Sequence, residues 1–343
     1  MTSTASTSTT MTSTASTTMT TPAGEGDDLL LVTTEELLDR NLPRPFARED
    51  LSGDLRHLLE EGLADLVGRK KPCWISKARL AEAKGCEAFA EARRTEGFSW
   101  SEPAALGTLV DKAISIGLAK RLSPEACVDA ALAEIDREGR DLARFLRALG
   151  AATKELFAMN AVELTSGLLA CWPRFSPQNF ESQVAMRVRL ASGAVVLSGI
   201  PDLVLGSLRA PGGQSRALVL DWKSGQLRFE HRLEQRFYAL LASLQAGRPP
   251  WRVATYYLAR QRALMDEVNE EMLFEVAAEV IEVAHALDDL EAARRPARYL
   301  LGESCAWCAI SSVCPERSGE HSPGLVPGVE RSANGDATSG MDR

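Results

Sequence analysis

No stretch of this 343-residue chain approaches 18 consecutive uncharged apolar residues, which excludes a membrane-spanning helix. The N-terminus lacks both a basic start and an apolar signal core, and its first Arg is Arg40, which argues against a secretory or Arg-rich transit segment. The expected location is therefore the cytoplasm. No G-x-x-x-x-G-K-[ST] loop occurs, so the chain carries no phosphate-cradling motif of that kind for ATP. No self-similar period of 20–50 residues suggests a solenoid. Cysteine is sparse and odd in number, at 73, 86, 127, 171, 305, 308 and 314. In a reducing compartment, grouped cysteines point to metal or redox chemistry rather than disulfides.

What is present is ordinary for a globular protein: 45% hydrophobic and 25% charged residues, enough for one large domain or two modest ones. The net charge of −8 is unevenly spread. Residues 1–40 hold six acids and one Arg, and Asp266 to Glu291 holds ten acids without a Lys or Arg, so the rest of the chain is net positive. A basic working surface for nucleic acid remains compatible with that balance. Lys70, Lys71, Lys77, Arg79, Lys84, Arg93 and Arg94 supply such a stretch, and Trp74, Phe98 and Trp100 beside them would either stack on unpaired bases or pack in the core.

Residues 1–28 are mostly Ser, Thr, Met and Ala, with MTSTAST occurring twice, and read as a disordered tail; residues 318–343 read as a second. The folded part is 29–317. Apolar residues three or four apart predict helices over 55–67, 77–94, 104–120 and 124–149, within a helical region of about 55–166. Ser123-Pro124-Glu125 is a helix entrance. The period then changes to two over 184–190, followed by a turn at Ser192-Gly193 and strands over 194–198 and 217–222. A helix over 231–246, a strand over 252–258 and a long helix over 264–293 complete the reading. The fold class expected is α/β, a mixed central sheet flanked by helices with a helical N-terminal region, its core at about 180–260.

The informative segment is Gly199-Ile200-Pro201-Asp202 and, eighteen residues on, Asp221-Trp222-Lys223-Ser224-Gly225. In a strand, Asp221 and Lys223 leave the same face and Trp222 the other. Pairing of adjacent strands would bring Asp202 beside Asp221. Two carboxylates and the Trp222 carbonyl make an oxygen site suited to Mg²⁺ or Mn²⁺, and a Lys there can orient an attacking water and offset phosphate charge. The plainer alternative is a surface Asp–Lys pair at a strand end. Against it, the apolar run Ala217 to Leu220 ends abruptly in charge, which is costly in a buried strand unless it serves a site.

Residues 199–225 resemble the core of the PD-(D/E)XK nuclease superfamily, with its restriction-endonuclease-like fold, and within it the RecB-like branch, with its G-x-x-D and D-x-K-x-G strands. The resemblance implies Asp202 and Asp221 as metal ligands and Lys223 as the catalytic lysine. It also implies a Gln and a Tyr on the next helix, here Gln235 and Tyr238, spaced by three where the family spaces them by four. Where the family carries a His after Gly-x-x-x, this chain has Gly107-Thr-Leu-Val-Asp111, which makes Asp111 a third candidate ligand. Glu181, just before the first strand, is a further acidic candidate.

Cys305-x2-Cys308-x5-Cys314 is a metal-binding spacing short of one ligand. RecB-like relatives of the AddB and CRISPR-associated type carry such a triplet with a distant upstream Cys, together holding a 4Fe–4S cluster. Ile75 to Leu80 followed by Cys86 resembles the upstream element, which implies Cys86, Cys305, Cys308 and Cys314, with zinc as the alternative occupant. The function expected is a Mg/Mn-dependent deoxyribonuclease, exonucleolytic, acting on single-stranded DNA or single-stranded ends in repair, recombination or foreign-DNA processing. Two alternatives stand beside it: a cleavage-deficient, cluster-stabilised nucleic-acid-binding module, and a zinc-stabilised interaction protein in which the Asp–Lys pair is incidental.

Overall fold

A computed structural model of the chain describes residues 31–39, 51–96, 98–171, 180–208 and 216–318. The expected tails lie outside the described residues, apart from Ser318. The fold below is that of the described residues from Val32 onward.

The apolar run at 217–222 forms the central strand, β7 (Leu218–Lys223), buried on both faces up to its last residue. It pairs antiparallel with β6 (Leu203–Leu205) and parallel with β8 (Arg252–Tyr257). β3 (Phe180–Ser182) flanks β6, β9 (Arg262–Glu267) flanks β8, and β1 (Leu31–Val32) adds Val32 at that edge. The parallel β7/β8 pair needs a crossover, which α9 (Glu230–Ala246) supplies. A smaller sheet places β2 (Cys73–Ile75) parallel to β5 (Val195–Gly199), with β4 (Met186–Leu190) antiparallel on the other side.

Alternation along β7 divides the core in two. Val219 faces one cluster with α2 (Leu51–Gly62), α3 (Lys77–Gly85), α9 and α10 (Glu270–Glu291). Leu218, Leu220 and Trp222 face the other, with α5 (Glu102–Lys120), α6 (Pro124–Glu138), α7 (Asp141–Ala148) and α8 (Ala151–Leu169). The expected mixed sheet between helical layers is therefore present. No helix among the described residues is long and apolar enough to cross a membrane.

Three of the boundaries that differ from the sequence reading have a visible local reason. The segment read as one helix over 264–293 begins as strand β9, and α10 starts only where the Asn269 side chain accepts a hydrogen bond from the Met272 N–H at 2.9 Å. The helix over 77–94 breaks at Cys86, whose extended backbone ends α3 and whose sulfur caps α4 (Glu87–Thr95) by accepting from the Phe89 N–H. The helix over 124–149 breaks at Gly139, which takes a left-handed φ of 64°. Ser123 caps α6 as expected, accepting from the Ala126 N–H at 3.3 Å.

One buried charge ties the N-terminal segment to the sheet. Arg252 of β8 is fully buried; its Nη1 donates to the carbonyls of Glu36, Leu37 and Asp39 at 2.9, 2.9 and 3.1 Å, at the end of α1 (Thr34–Leu38). Its Nη2 lies 3.2 Å from Glu267.

Candidate active site

The site grows from the end of β7. Two-residue alternation puts Asp221 and Lys223 on one face, with Lys223 Nζ 3.0 Å from Asp221 Oδ2. Antiparallel pairing sets Leu203 opposite Leu220, so Asp202 arrives opposite Asp221. There Asp202 Oδ2 accepts from the Trp222 N–H at 2.9 Å, and its Oδ1 accepts from Gln183 Nε2 at 3.1 Å. On the other face of the strand, the Trp222 indole N–H donates to Asp111 of α5 at 2.8 Å. Asp111, Asp202, Asp221, Lys223 and Tyr238 all line one open cavity of about 480 Å³.

Two residues with no predicted catalytic role complete the cluster. Lys77, the first residue of α3, donates to Asp221 Oδ1 at 2.5 Å and lies over the Tyr238 ring at 4.9 Å. Glu234 of α9 accepts from Lys223 Nζ at 2.8 Å and lies 3.9 Å from Lys77. Lys77 looked like part of a surface basic run; what sets it apart is its place directly after a strand and the Ser76 cap, whose side chain accepts from the Arg79 N–H. Glu234 stands four residues before Tyr238, the spacing that Gln235 lacked.

Gln235 is accordingly a correction. Its side chain is buried elsewhere, donating to Asp266 at 3.1 Å and accepting from Thr255 at 3.2 Å, and it does not reach the cavity. Tyr238 forms a wall of the cavity while its hydroxyl donates to the Ile200 carbonyl at 2.8 Å, which fixes the turn leading to Asp202. Glu181 is the second correction: it sits exposed on β3 opposite Val204 and lines a different surface pocket.

The carboxylates are crowded, and their acidities show it. Burial, then Asp221 and Asp111, push the Asp202 carboxyl well above its usual range, and burial pushes Asp111 up to about 6. Burial acts upward on Asp221 too, but Lys77 and Lys223 together hold it below its usual value. Burial disfavours charge on Lys77 and Lys223, yet Asp221 and Glu234 outweigh it and both ammonium groups are held charged. His231, also on the cavity wall, is pushed down to about 4 by burial and by Lys223, and hydrogen-bonds the Tyr257 hydroxyl at 2.8 Å as a neutral ring.

The oxygen-rich donor set of Asp111, Asp202 and Asp221 fits a hard divalent cation, whose charge would offset the burial and, after it, the mutual repulsion that raise two of the three carboxyls. Among the described residues no three His, Cys, Asp or Glu side chains are gathered as a ready-made metal cage. In this arrangement Lys77 holds one oxygen of Asp221, so ligation there requires its ammonium to move aside.

A second constellation lies where α3 meets α4. Cys86, Cys305, Cys308 and Cys314 line one small pocket with Phe89, Tyr299 and Ile310. Salt bridges draw the irregular segment 292–300 there: buried Glu87 accepts from the Arg295 and Arg298 guanidinium groups and from the Arg298 N–H, while the Ala88 N–H donates to the Arg298 carbonyl at 3.1 Å. Burial pushes the Cys308 thiol up, and its first opposing influence is a hydrogen bond from the Ile310 backbone. Cys73, Cys127 and Cys171 are buried apart from this group.

The basic stretch is largely paired. Arg79 and Arg94 meet Glu91 at 3.1 and 2.9 Å, Arg93 meets Glu82 at 3.7 Å and Lys84 meets Glu282 at 2.8 Å. Trp100 packs against the second core, and Phe98 meets it edge to face.

Residues 75–315 match the family profile described as the PD-(D/E)XK nuclease superfamily, a span that holds every residue of both constellations. Among solved structures, the chain is similar to a protein from Eubacterium rectale that is named provisionally as an exonuclease, at 11% identity and a TM-score of 0.45, covering 68% of this chain and 87% of that one. It is also similar to SSO0001, at 12% identity and a TM-score of 0.32, covering 77% and 94%. No curated protein matches the chain.

Proposed function

Because the chain belongs to the PD-(D/E)XK nuclease superfamily, we propose that its cavity hydrolyses DNA phosphodiester bonds with the help of Mg²⁺ or Mn²⁺. The observation that carries this reading is the convergence of Asp202, Asp221 and Lys223, distant in sequence, on one polar cavity. Asp202 and Asp221, with Asp111 alongside, would hold the ion, which when bound supplies Lewis-acid polarisation of the phosphate and a more acidic water. Lys223 stays protonated between Asp221 and Glu234, so it orients the water and offsets charge rather than taking a proton. The water oxygen bonds to phosphorus as the bond from phosphorus to the departing sugar oxygen breaks, the water giving up a proton to solvent and the sugar oxygen taking one from solvent to leave as a hydroxyl. Tyr238 holds the Ile200 turn and thereby Asp202; Gln235 keeps the same helix in place through Asp266.

The finer reading is a RecB-like exonuclease that takes single-stranded DNA or single-stranded ends in repair, recombination or foreign-DNA processing, with unwinding left to a helicase partner. Cys86, Cys305, Cys308 and Cys314 would hold a 4Fe–4S cluster, their common pocket and soft thiolate set supporting it, with zinc as the alternative. Asp111, standing where relatives carry His, favours one second reading, a nucleic-acid-binding module that has lost cleavage.

Anaerobically purified protein, incubated with end-labelled linear and closed circular DNA in Mg²⁺ or Mn²⁺, tests these points. Degradation of linear but not circular DNA is expected, with Asp221→Ala and Lys223→Ala each slowed by at least about a hundredfold. Equal rates in wild type and both variants would sink the enzyme, and rapid cutting of circles would sink exonucleolytic action. Visible absorbance with iron and acid-labile sulfide distinguishes cluster from zinc, and loss of the metal in Cys308→Ser ties it to these thiols.

A further inference from the structure

Arg228 is the place where the cavity meets the cysteine-bearing segment. It follows Lys223 by five residues, on the loop between β7 and α9, and lines the cavity together with Ser224, Gly225 and Gln226. Its guanidinium lies over the Trp307 indole at 4.3 Å from the ring centre, with Nε 3.9 Å from Glu303. Trp307 stands between Cys305 and Cys308 and is 48% exposed, and Phe229 beside Arg228 is 84% exposed. A large aromatic ring that leaves half its surface in water, and whose ring partner is a cation at a cavity rim, is poorly explained by core packing.

We propose that Arg228 and Trp307 form a seat for an unpaired nucleotide at the mouth of the Asp202–Asp221–Lys223 cavity. The proposal rests on the nuclease reading of that cavity and names what it selects. The Arg228 charge meets a phosphate adjoining the one to be cleaved, and the Trp307 ring accepts a base face, which requires a base that is not enclosed in a duplex stack. Both groups are sequence-neutral, so the seat reads strandedness and not base identity. Because Trp307 is flanked by two of the four clustered thiols, whatever orders those thiols also orders the seat.

The test is fluorescence anisotropy of the intact protein with a 3′- or 5′-labelled single-stranded oligonucleotide and with a blunt duplex of the same sequence, in Ca²⁺ to hold back cleavage. Trp307→Ala should weaken single-strand binding roughly five- to hundredfold, the loss of one base–aromatic stack, and duplex binding by less than about twofold. Trp307→Phe should recover most of the binding, and Arg228→Ala should weaken it while flattening its dependence on salt. Circular dichroism melting of each variant shows that the fold is intact. Trp307→Ala within twofold of wild type on single strands, or equal losses on both substrates, would overturn the seat. Trp307-dependent binding by a protein that cleaves nothing would uphold the seat and reject the nuclease, and cleavage indifferent to Trp307 would do the reverse.

Discussion

Asp221 is balanced between two ammonium groups, and only one of them was recognisable from spacing. Lys223 follows it by two residues in a strand, a local relation; Lys77 reaches it from 144 residues away, on a helix whose start is visible but whose direction is not. Replacing Lys77 by Met leaves buried Asp221 with a single partner. Without divalent ions the variant should lose about 1–3 kcal/mol of stability by denaturant melting, and Mn²⁺ should restore more stability to it than to wild type. An unchanged response to Mn²⁺ would show that Lys77 does not compete for the same oxygen. Gln235 and Glu234 carry the same lesson at one helix position. A polar residue beside the expected one occupies the site, because the side that a helix turns to a cavity is set by packing; here buried Asp266 draws Gln235, Arg232 and Arg236 to itself. Burial works against the charge on Asp266, but these donors hold its carboxyl below the usual carboxylate range. Its stabilising effect is therefore present above about pH 4 and fades as pH falls through and below that value. Asp266→Asn should cost about 3 kcal/mol at neutral pH, and its melting temperature should fall less steeply than that of wild type below about pH 4.

Elements with a clear alternation, an unbroken apolar run or a helical repeat were legible: β4, β5, β7, β8, α5 and α9 begin and end within a few residues of the pattern that suggested them. The misreading at 264–293 arose because β9 and the first turns of α10 share an apolar content that fits both periods, and only Asn269 marks the change. β2 is three residues long and β3 is exposed throughout, so neither has enough pattern to be seen, yet β2 delivers Lys77 to the site. Close approach between elements leaves a clearer trace. A Cβ added at Gly167 of α8 would lie 2.3 Å from the Leu258 carbonyl oxygen just beyond β8, backbone that cannot step aside. Gly167→Ala should cost about 2–4 kcal/mol and weaken the packing of the helical layer on the sheet. At Gly53 of α2 nothing lies within 4 Å, and alanine there should stabilise by up to about 1 kcal/mol. Thermal melts that rank these two the same way would contradict the packing described.

Across the whole molecule, the two halves of the cysteine constellation are joined by salt bridges that no sequence pattern announces. The Asp–Lys motif and the cysteine spacing are both local and were readable; that Glu87, next to Cys86, would bind Arg295 and Arg298 depends on a separation of more than two hundred residues. Despite the upward push of its burial, these guanidinium groups hold Glu87 below its ordinary value. Glu87→Ala strips both arginines of their buried acceptor. The segment over 292–300 should then be cut earlier by trypsin, and Cys305, Cys308 and Cys314 should react with maleimide several-fold faster, while melting of the main fold changes little. Equal protection in both proteins would mean that the segment is held by other means.

The Arg252 side chain sets a limit on how the chain can be shortened. Three of its acceptors are main-chain oxygens within residues 36–39, so no side-chain substitution there removes them, whereas deletion does. A truncation starting at residue 51 would look harmless by motif, since every functional side chain survives it, but would leave a guanidinium inside the protein with Glu267 as its remaining counterpart. Fragments beginning ahead of Val32 should purify as folded protein, and those beginning after Asp39 should be recovered mainly as aggregate.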